Sequence, residues 1–232
     1  MNLLEEKDEF VLKNILKDFI DRKCIFRCNP EVRYAQGIDK GILPGSSPKG
    51  YMRSQFYLRN LTHDSDMVTC ATMLIINQMF KNGMTDTVFQ IAGLETSSIP
   101  LISHLQAKMR VANKSVNTFS IRKERKKYGL FQFVDGIPNQ SNFVVVDDLI
   151  NSGSSVHRVL DTCLYECNLD PYPESFFIVN MRPERKYIPF NGALIRVNSI
   201  FDKNDFSFEY DPEKYWLPLD CDRSFNHRPD YK

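Results

Sequence analysis

The run Phe143-Val144-Val145-Val146 leads directly into Asp147 and Asp148, followed by Leu149, Ile150, Asn151, Ser152, Gly153, Ser154 and Ser155. No other stretch constrains the fold as much. An unbroken apolar, β-branched run reads as a strand over 143–147 that is buried on both faces, the habit of parallel sheets. Helical spacing then runs from Ser154 to about Cys167. A strand that ends at a Gly/Ser turn opening a helix presents backbone N–H groups where a phosphate can sit. Gly153 allows a tight or left-handed backbone there. The two carboxylates before the turn suit hydroxyl groups or a cation. Phosphate, hydroxyls and cation in one short stretch point to a sugar phosphate.

Helical and extended patterns alternate along the rest of the chain. Leu3, Leu4, Val11, Leu12, Ile15, Leu16, Phe19 and Ile20 predict an amphipathic helix over 3–21, suited to packing or to a dimer contact. Residues 24–61, broken by Pro30, Gly37, Gly41, Pro44, Gly45, Pro48 and Gly50, read as loops and short strands such as Ser54–Leu58. Asp64 or Ser65 caps a helix that runs to about Lys81 and ends at Gly83. Strands over 87–92, 116–121, 175–180 and 193–197 and a helix over 99–110 complete the series. The predicted class is α/β, with a mostly parallel central sheet covered by helices on both faces. In such sheets ligands bind beyond the carboxyl ends of the strands. The turns at 93–98, 122–129 and 147–155 each follow a strand and are expected to converge on one rim.

Composition narrows the function classes. The 232 residues suit one domain with an embellishment, and 30 basic against 29 acidic side chains leave a net charge of +1. A dedicated nucleic-acid binder needs a clear basic excess. The N-terminus lacks an apolar signal region, and no apolar run approaches the roughly 20 residues that span a bilayer. The reading is a cytoplasmic protein without membrane attachment, with reduced thiols. Cys24/Cys28 and Cys163/Cys167 have zinc or buried thiols as alternatives, and the spacing favours thiols. The Gly/Ser loop lacks a P-loop lysine, so nucleoside-triphosphate hydrolysis is unsupported. His63, His104, His157 and His227 form no convincing dyad with a Ser or Cys.

The segment Val144–Ser155 resembles the phosphoribosyl-diphosphate (PRPP) binding motif of type I phosphoribosyltransferases. The resemblance implies that Asp147 and Asp148 hold the ribose hydroxyls, and that Asn151, Ser152, Gly153, Ser154 and Ser155 wrap the 5-phosphate. The basic run Arg122-Lys123-Glu124-Arg125-Lys126-Lys127-Tyr128-Gly129 has a bland reading as a solvated face or localisation signal. It also resembles the Arg-Lys-Glu-x-Lys-x-x-Gly segment of orotate phosphoribosyltransferases, which opens a mobile loop reaching a partner subunit's site. By that resemblance Lys126 is the catalytic lysine, acting with Asp147 and Asp148, and Arg122 and Lys123 contact diphosphate. Tyr128 stands where many members carry histidine.

Further matches follow in the family's order over about residues 40–185. Ile91–Pro100 resembles the diphosphate loop, placing Thr96 and Ser97 against PRPP, with Ser98 where glycine is usual. Tyr51–Leu58 resembles the segment roofing the base and brings in Phe56, Tyr57 and, upstream, Lys49. Arg182 falls where the family sets an arginine against orotate, and Asn151 lies near the base as well. The resemblance implies a type I phosphoribosyltransferase fold with a small N-terminal hood and a C-terminal extension. It also implies Mg²⁺ carried mainly by PRPP, and a homodimer with shared sites. The expected division is a helix and hood over 1–60, a core over 61–185 with a lid over 122–140, and an extension over 186–232 packed on the core. The implied reaction joins a nucleobase, orotate first, to PRPP with release of diphosphate. The alternatives are another nucleobase, or a silent PRPP-sensing protein.

Overall fold

The computed structural model describes residues 3–29, 54–85, 88–124 and 132–214, and the backbone alone at 43–44 and 51–52. The chain divides into two compact units, Met1–Leu16 with Thr62–Asp205, and Lys17–Leu61 with Phe206–Lys232.

In chain order the elements are α1 (Glu6–Phe19), β1 (Ile25–Arg27), β2 (Leu43–Pro44), β3 (Tyr51–Met52), β4 (Ser54–Phe56), α2 (Arg59–Thr62) and α3 (Ser65–Lys81). They continue with β5 (Gln90–Leu94), α4 (Ser98–Val111), β6 (Asn117–Ile121), β7 (Val134–Asp135) and β8 (Phe143–Ile150). Then come α5 (Ser154–Cys167), β9 (Pro171–Asn180), β10 (Tyr187–Phe190) and β11 (Ala193–Asp202).

The first unit is built on a seven-stranded sheet of order β10-β11-β9-β8-β5-β6-β7. Its five inner strands are mutually parallel, and β10 and β7 add antiparallel margins. The predicted architecture is therefore present. Alternate residues of β8 point to opposite faces. Phe143 and Val145 enter a buried cluster with Val156, Val159, Leu160 and Cys163 of α5. Val144 and Val146, facing the other way, are also fully buried. Helix α4 packs on β5, β6 and β8, and α3 packs on α4, β9 and β11.

Local chemistry sets the element ends. The Asp64 carboxylate accepts the N–H groups of Asp66 (3.1 Å) and Met67 (3.0 Å), capping α3 as the sequence predicts. Gly93 permits α4 to start against the sheet, because a Cβ there would lie 2.4 Å from Ser98 Oγ and 3.0 Å from Val146 O. Helix α1 is fixed on α3 by Asn77, whose side chain accepts the N–H of Leu3 (3.1 Å) and donates to Glu9 (2.9 Å).

Two differences from the sequence reading bear on function. Strand β8 does not stop at Asp147 but continues in parallel register through Ile150, opposite Asn180. Both carboxylates thus belong to the sheet, where its ladder fixes their directions. Residues 187–202, assigned above to an extension packed on the core, form β10 and β11, which complete the sheet. The apolar alternation of Ile195 and Val197 breaks at Ser199 and does not carry strand β11 beyond 197, but pairing with β9 holds it through Asp202.

In the second unit, residues that follow β11 join residues that precede α3. Strands β1 and β4 pair antiparallel, Ile25 opposite Phe56. The fully buried Arg27 side chain ties this unit together. Its Nη1 donates to Asp21 O (2.7 Å) and Ile25 O (3.1 Å), its Nε and Nη2 to Ser207 O (3.1 and 2.7 Å), and Nη2 also reaches the Asp21 carboxylate.

Candidate functional site

The carboxyl ends of β5, β6, β8 and β9 lie on one edge of the sheet because these strands are parallel. The segments leaving them touch one another through named hydrogen bonds, so the described parts of the three turns converge on one rim.

At the centre stand the two carboxylates of β8. Asp147 is only 6 % exposed, and its Oδ1 accepts the Asp148 N–H at 2.9 Å. Burial, and then the neighbouring Asp148 charge, push the Asp147 carboxyl well above the usual carboxylate range, against the opposing pull of Lys123. Burial also raises Asp148, but hydrogen bonds from Asp147 and the Ser97 hydroxyl favour its charged form. Asp147 is thus the less readily ionised member of the pair. The two form an acceptor set suited to hydroxyl groups or a cation.

After β8, Asn151–Gly153 turn into α5. Gly153 has φ 85° and sits at the helix's N-terminal boundary. Ser152 Oγ lies 2.9 Å from Ser154 Oγ and 3.3 Å from the Ser154 nitrogen. The first N–H groups of a helix have no intrahelical partner, and here they are framed by three serine hydroxyls.

A second turn leans on this loop. The buried Asn180 at the end of β9 accepts the Arg182 N–H (2.9 Å) and donates to Arg185 O (3.3 Å). Arg182 Nε donates to Asn151 Oδ1 at 3.2 Å, so two residues expected near the base are in contact. Arg185 Nη1 donates to the Ser152 carbonyl.

On the other side of β8, the 95–97 turn holds the base of the basic segment. Glu95 Oε1 accepts the Lys123 N–H at 2.7 Å, and Glu95 Oε2 lies 3.7 Å from Arg122 Nη1. Arg122 Nη2 lies 2.5 Å from Asp135 Oδ2, and its buried Nε has no hydrogen-bond partner. Arg158, one turn into α5, donates to the Lys123 carbonyl at 2.6 Å. The Lys123 peptide is thus bracketed, its N–H by the β5 turn and its C=O by the helix behind the serine loop. Thr96 is exposed in the same turn, and Ser155 is half-buried at the start of α5.

Lys126 and Lys49 lie outside the described residues. Phe56 and Tyr57 belong to the second unit, where the Phe56 ring stands edge-on to Phe206 and Phe208 at 5.5 and 5.6 Å between centroids.

No family model matches the chain. Solved structures do. The Aeropyrum pernix orotate phosphoribosyltransferase shares 17% identity over 83% of this chain and 95% of that one, with a TM-score of 0.55. The Mycobacterium tuberculosis H37Rv orotate phosphoribosyltransferase shares 16% over 84% of this chain and 98% of that one, with a TM-score of 0.53. This chain has the type I phosphoribosyltransferase fold. An adenine phosphoribosyltransferase from Leishmania donovani is similar too, at 14% identity over 96% of this chain and 94% of that one, with a TM-score of 0.56.

Within this phosphoribosyltransferase fold, Glu95, Asp135, Arg158, Asn180 and Arg185 also shape the rim, and the sequence reading gave none of them a role. Asn180 had a legible signal, an Asn at a strand end before a Pro-containing turn. Arg158 and Arg185 had none, because an arginine's partner is set by tertiary placement.

Proposed function

We propose that the chain is a phosphoribosyltransferase that joins a nucleobase, orotate first, to PRPP and releases diphosphate. The observation that supports this best is the set of subsites on one rim. The serine loop at α5 suits a phosphomonoester, Asp147 and Asp148 suit ribose hydroxyls, and Lys123, anchored by Glu95 and Arg158, adds positive charge beside them. Thr96 and Ser97 in the β5 turn lie on the diphosphate side, and Arg182 with Asn151 on the base side.

In the reaction the C1–O bond to diphosphate breaks and its electron pair leaves on the diphosphate. A ring nitrogen of the base supplies the pair for the new C1–N bond. Positive charge develops on the sugar ring, as in other glycosyl transfer. No protein nucleophile is required. The chain's task is to orient the two substrates and to neutralise the leaving group, for which Lys123 and Lys126 are the proposed cations.

Among the described residues no three His, Cys, Asp or Glu side chains gather as a metal cage would require. Two adjacent carboxylates that leave room for substrate oxygens fit Mg²⁺, which is commonly held by one or two carboxylates, waters and phosphates. Asp147 and Asp148 would hold it together with PRPP. When bound, the ion neutralises charge on the diphosphate.

The test is a panel of nucleobases with PRPP and Mg²⁺, scored by diphosphate release and product mass. Orotate is expected to react. Reaction with adenine instead would make this an enzyme for another base, a reading supported by the likeness to the adenine enzyme. Binding of PRPP with no base turned over would leave a sensor.

A further inference from the structure

We propose that Arg185 is a positioning residue for the substrate's 5-phosphate, acting through the Ser152–Gly153 peptide. The inference rests on the phosphoribosyltransferase reading and assigns a residue that neither the loop motif nor the strand pattern contains.

Arg185 Nη1 donates to the Ser152 carbonyl. In a trans peptide the C=O and the following N–H point in opposite directions. A guanidinium that fixes the carbonyl on one side therefore fixes the Gly153 N–H on the other. That N–H is one of those available to a phosphate at the start of α5. Donation from a cation also polarises the peptide, and hydrogen bonds in series strengthen one another.

The contact depends on glycine. Gly153 sits at φ 85°, and a Cβ built on it would lie 2.7 Å from Arg185 Nη1. With no side chain at 153, the guanidinium can approach the peptide, and Gly153 is buried.

The arginine is itself held in place. Its N–H donates to Arg182 O at 2.8 Å, its carbonyl accepts from Asn180 Nδ2 at 3.3 Å, and Met181 N donates to Ile150 O at 2.8 Å. The 180–185 turn is thus tied to the end of β8 and to buried Asn180. The loop Asn151–Ser155 contains no cation of its own. Arg185 sets one beside a site meant for a near-dianionic group.

The test compares wild type with R185A, R185K and R185Q by calorimetry, using ribose 5-phosphate for the loop and inorganic diphosphate for the β5 side. R185A is expected to weaken ribose 5-phosphate binding about tenfold or more, the scale of a charge-assisted hydrogen bond, with diphosphate binding changed less than about twofold. R185K is expected to recover part of the loss and R185Q less. In turnover, KM for PRPP should rise while KM for the base stays level. Should R185A not fold, the order of Lys above Gln carries the same comparison. Undiminished ribose 5-phosphate binding in R185A, an equal loss of both ligands, or R185Q matching R185K would overturn the inference while leaving the proposed function intact. Wild-type protein that binds neither ribose 5-phosphate nor PRPP would remove the proposed function and this role with it.

Discussion

Asp147 lies where a negative charge is hardest to hold, buried in the sheet beside a second carboxylate. Its folded pKa is raised above the unfolded value. Below the unfolded value both states are protonated and Asp147 costs nothing. As pH rises past it, the unfolded chain ionises while the native residue keeps its proton, so stability falls until the folded pKa is passed. Asp147→Asn removes this dependence. At neutral pH the variant is expected to be more stable than wild type, with the difference shrinking towards pH 4, as urea midpoints across that range would show. A constant offset at every pH would mean that Asp147 does not carry the raised pKa. Turnover of the same variant should fall by roughly a hundredfold, the scale of a misplaced reacting group. At this scale the sequence was most legible where chemistry is local. The carboxylate pair and the Gly/Ser loop could be read directly, but the raised pKa of Asp147 depends on burial that only the assembled sheet creates.

The elements carry the next level of argument. Helix α5 does two things at once, because its first turn frames the serine loop and Arg158 holds the Lys123 carbonyl. Arg158→Ala is expected to lower kcat/KM about three- to tenfold while the melting temperature stays close to wild type, since an exposed side chain contributes little to stability. An unchanged kcat/KM would show that the Lys123 contact is idle. In the second unit, Arg27→Ala should cost about 3 kcal/mol in urea unfolding, because it strands the Asp21 carboxylate and the carbonyls of Asp21, Ile25 and Ser207. Lys214 Nζ, 2.8 Å from Asp21, softens that loss. Helices α3, α4 and α5 were legible because their apolar periods are long, and α3 carries the Asp64 cap as well. Strands β7 and β10 were not, since two or four residues hold no period, and Pro189 argues against a strand. Nor could the sequence foretell that Arg27, 180 positions from Ser207, would be fully buried.

For the whole molecule, the order of strands explains why motifs far apart in sequence act together. Neighbouring β9, β8, β5 and β6 bring residues near 95, 122, 151 and 182 to one edge. The alternating pattern made that order of elements readable, but not which segments would join as units, because pairing across long separations leaves no local trace. The proposed homodimer with shared sites is tested by mixing inactive chains. Lys126→Ala combined with Asp147→Asn should restore a fraction of activity if one chain's lysine serves its partner's acids. Mixed chains as inactive as either parent would place each site within a single chain.

The margins of the sheet carry one more consequence. Its inner strands are five to ten residues long, but among the described residues the outermost are β10, with four residues and Pro189 among them, and β7, with two. Short or proline-bearing outer strands offer a neighbouring backbone few groups in sequence to pair with. Propagation of the sheet from one copy into the next is therefore disfavoured at both ends. A lasting contact between copies at these margins would have to be made by side chains rather than by a continued ladder, so that shape and charge could select the partner.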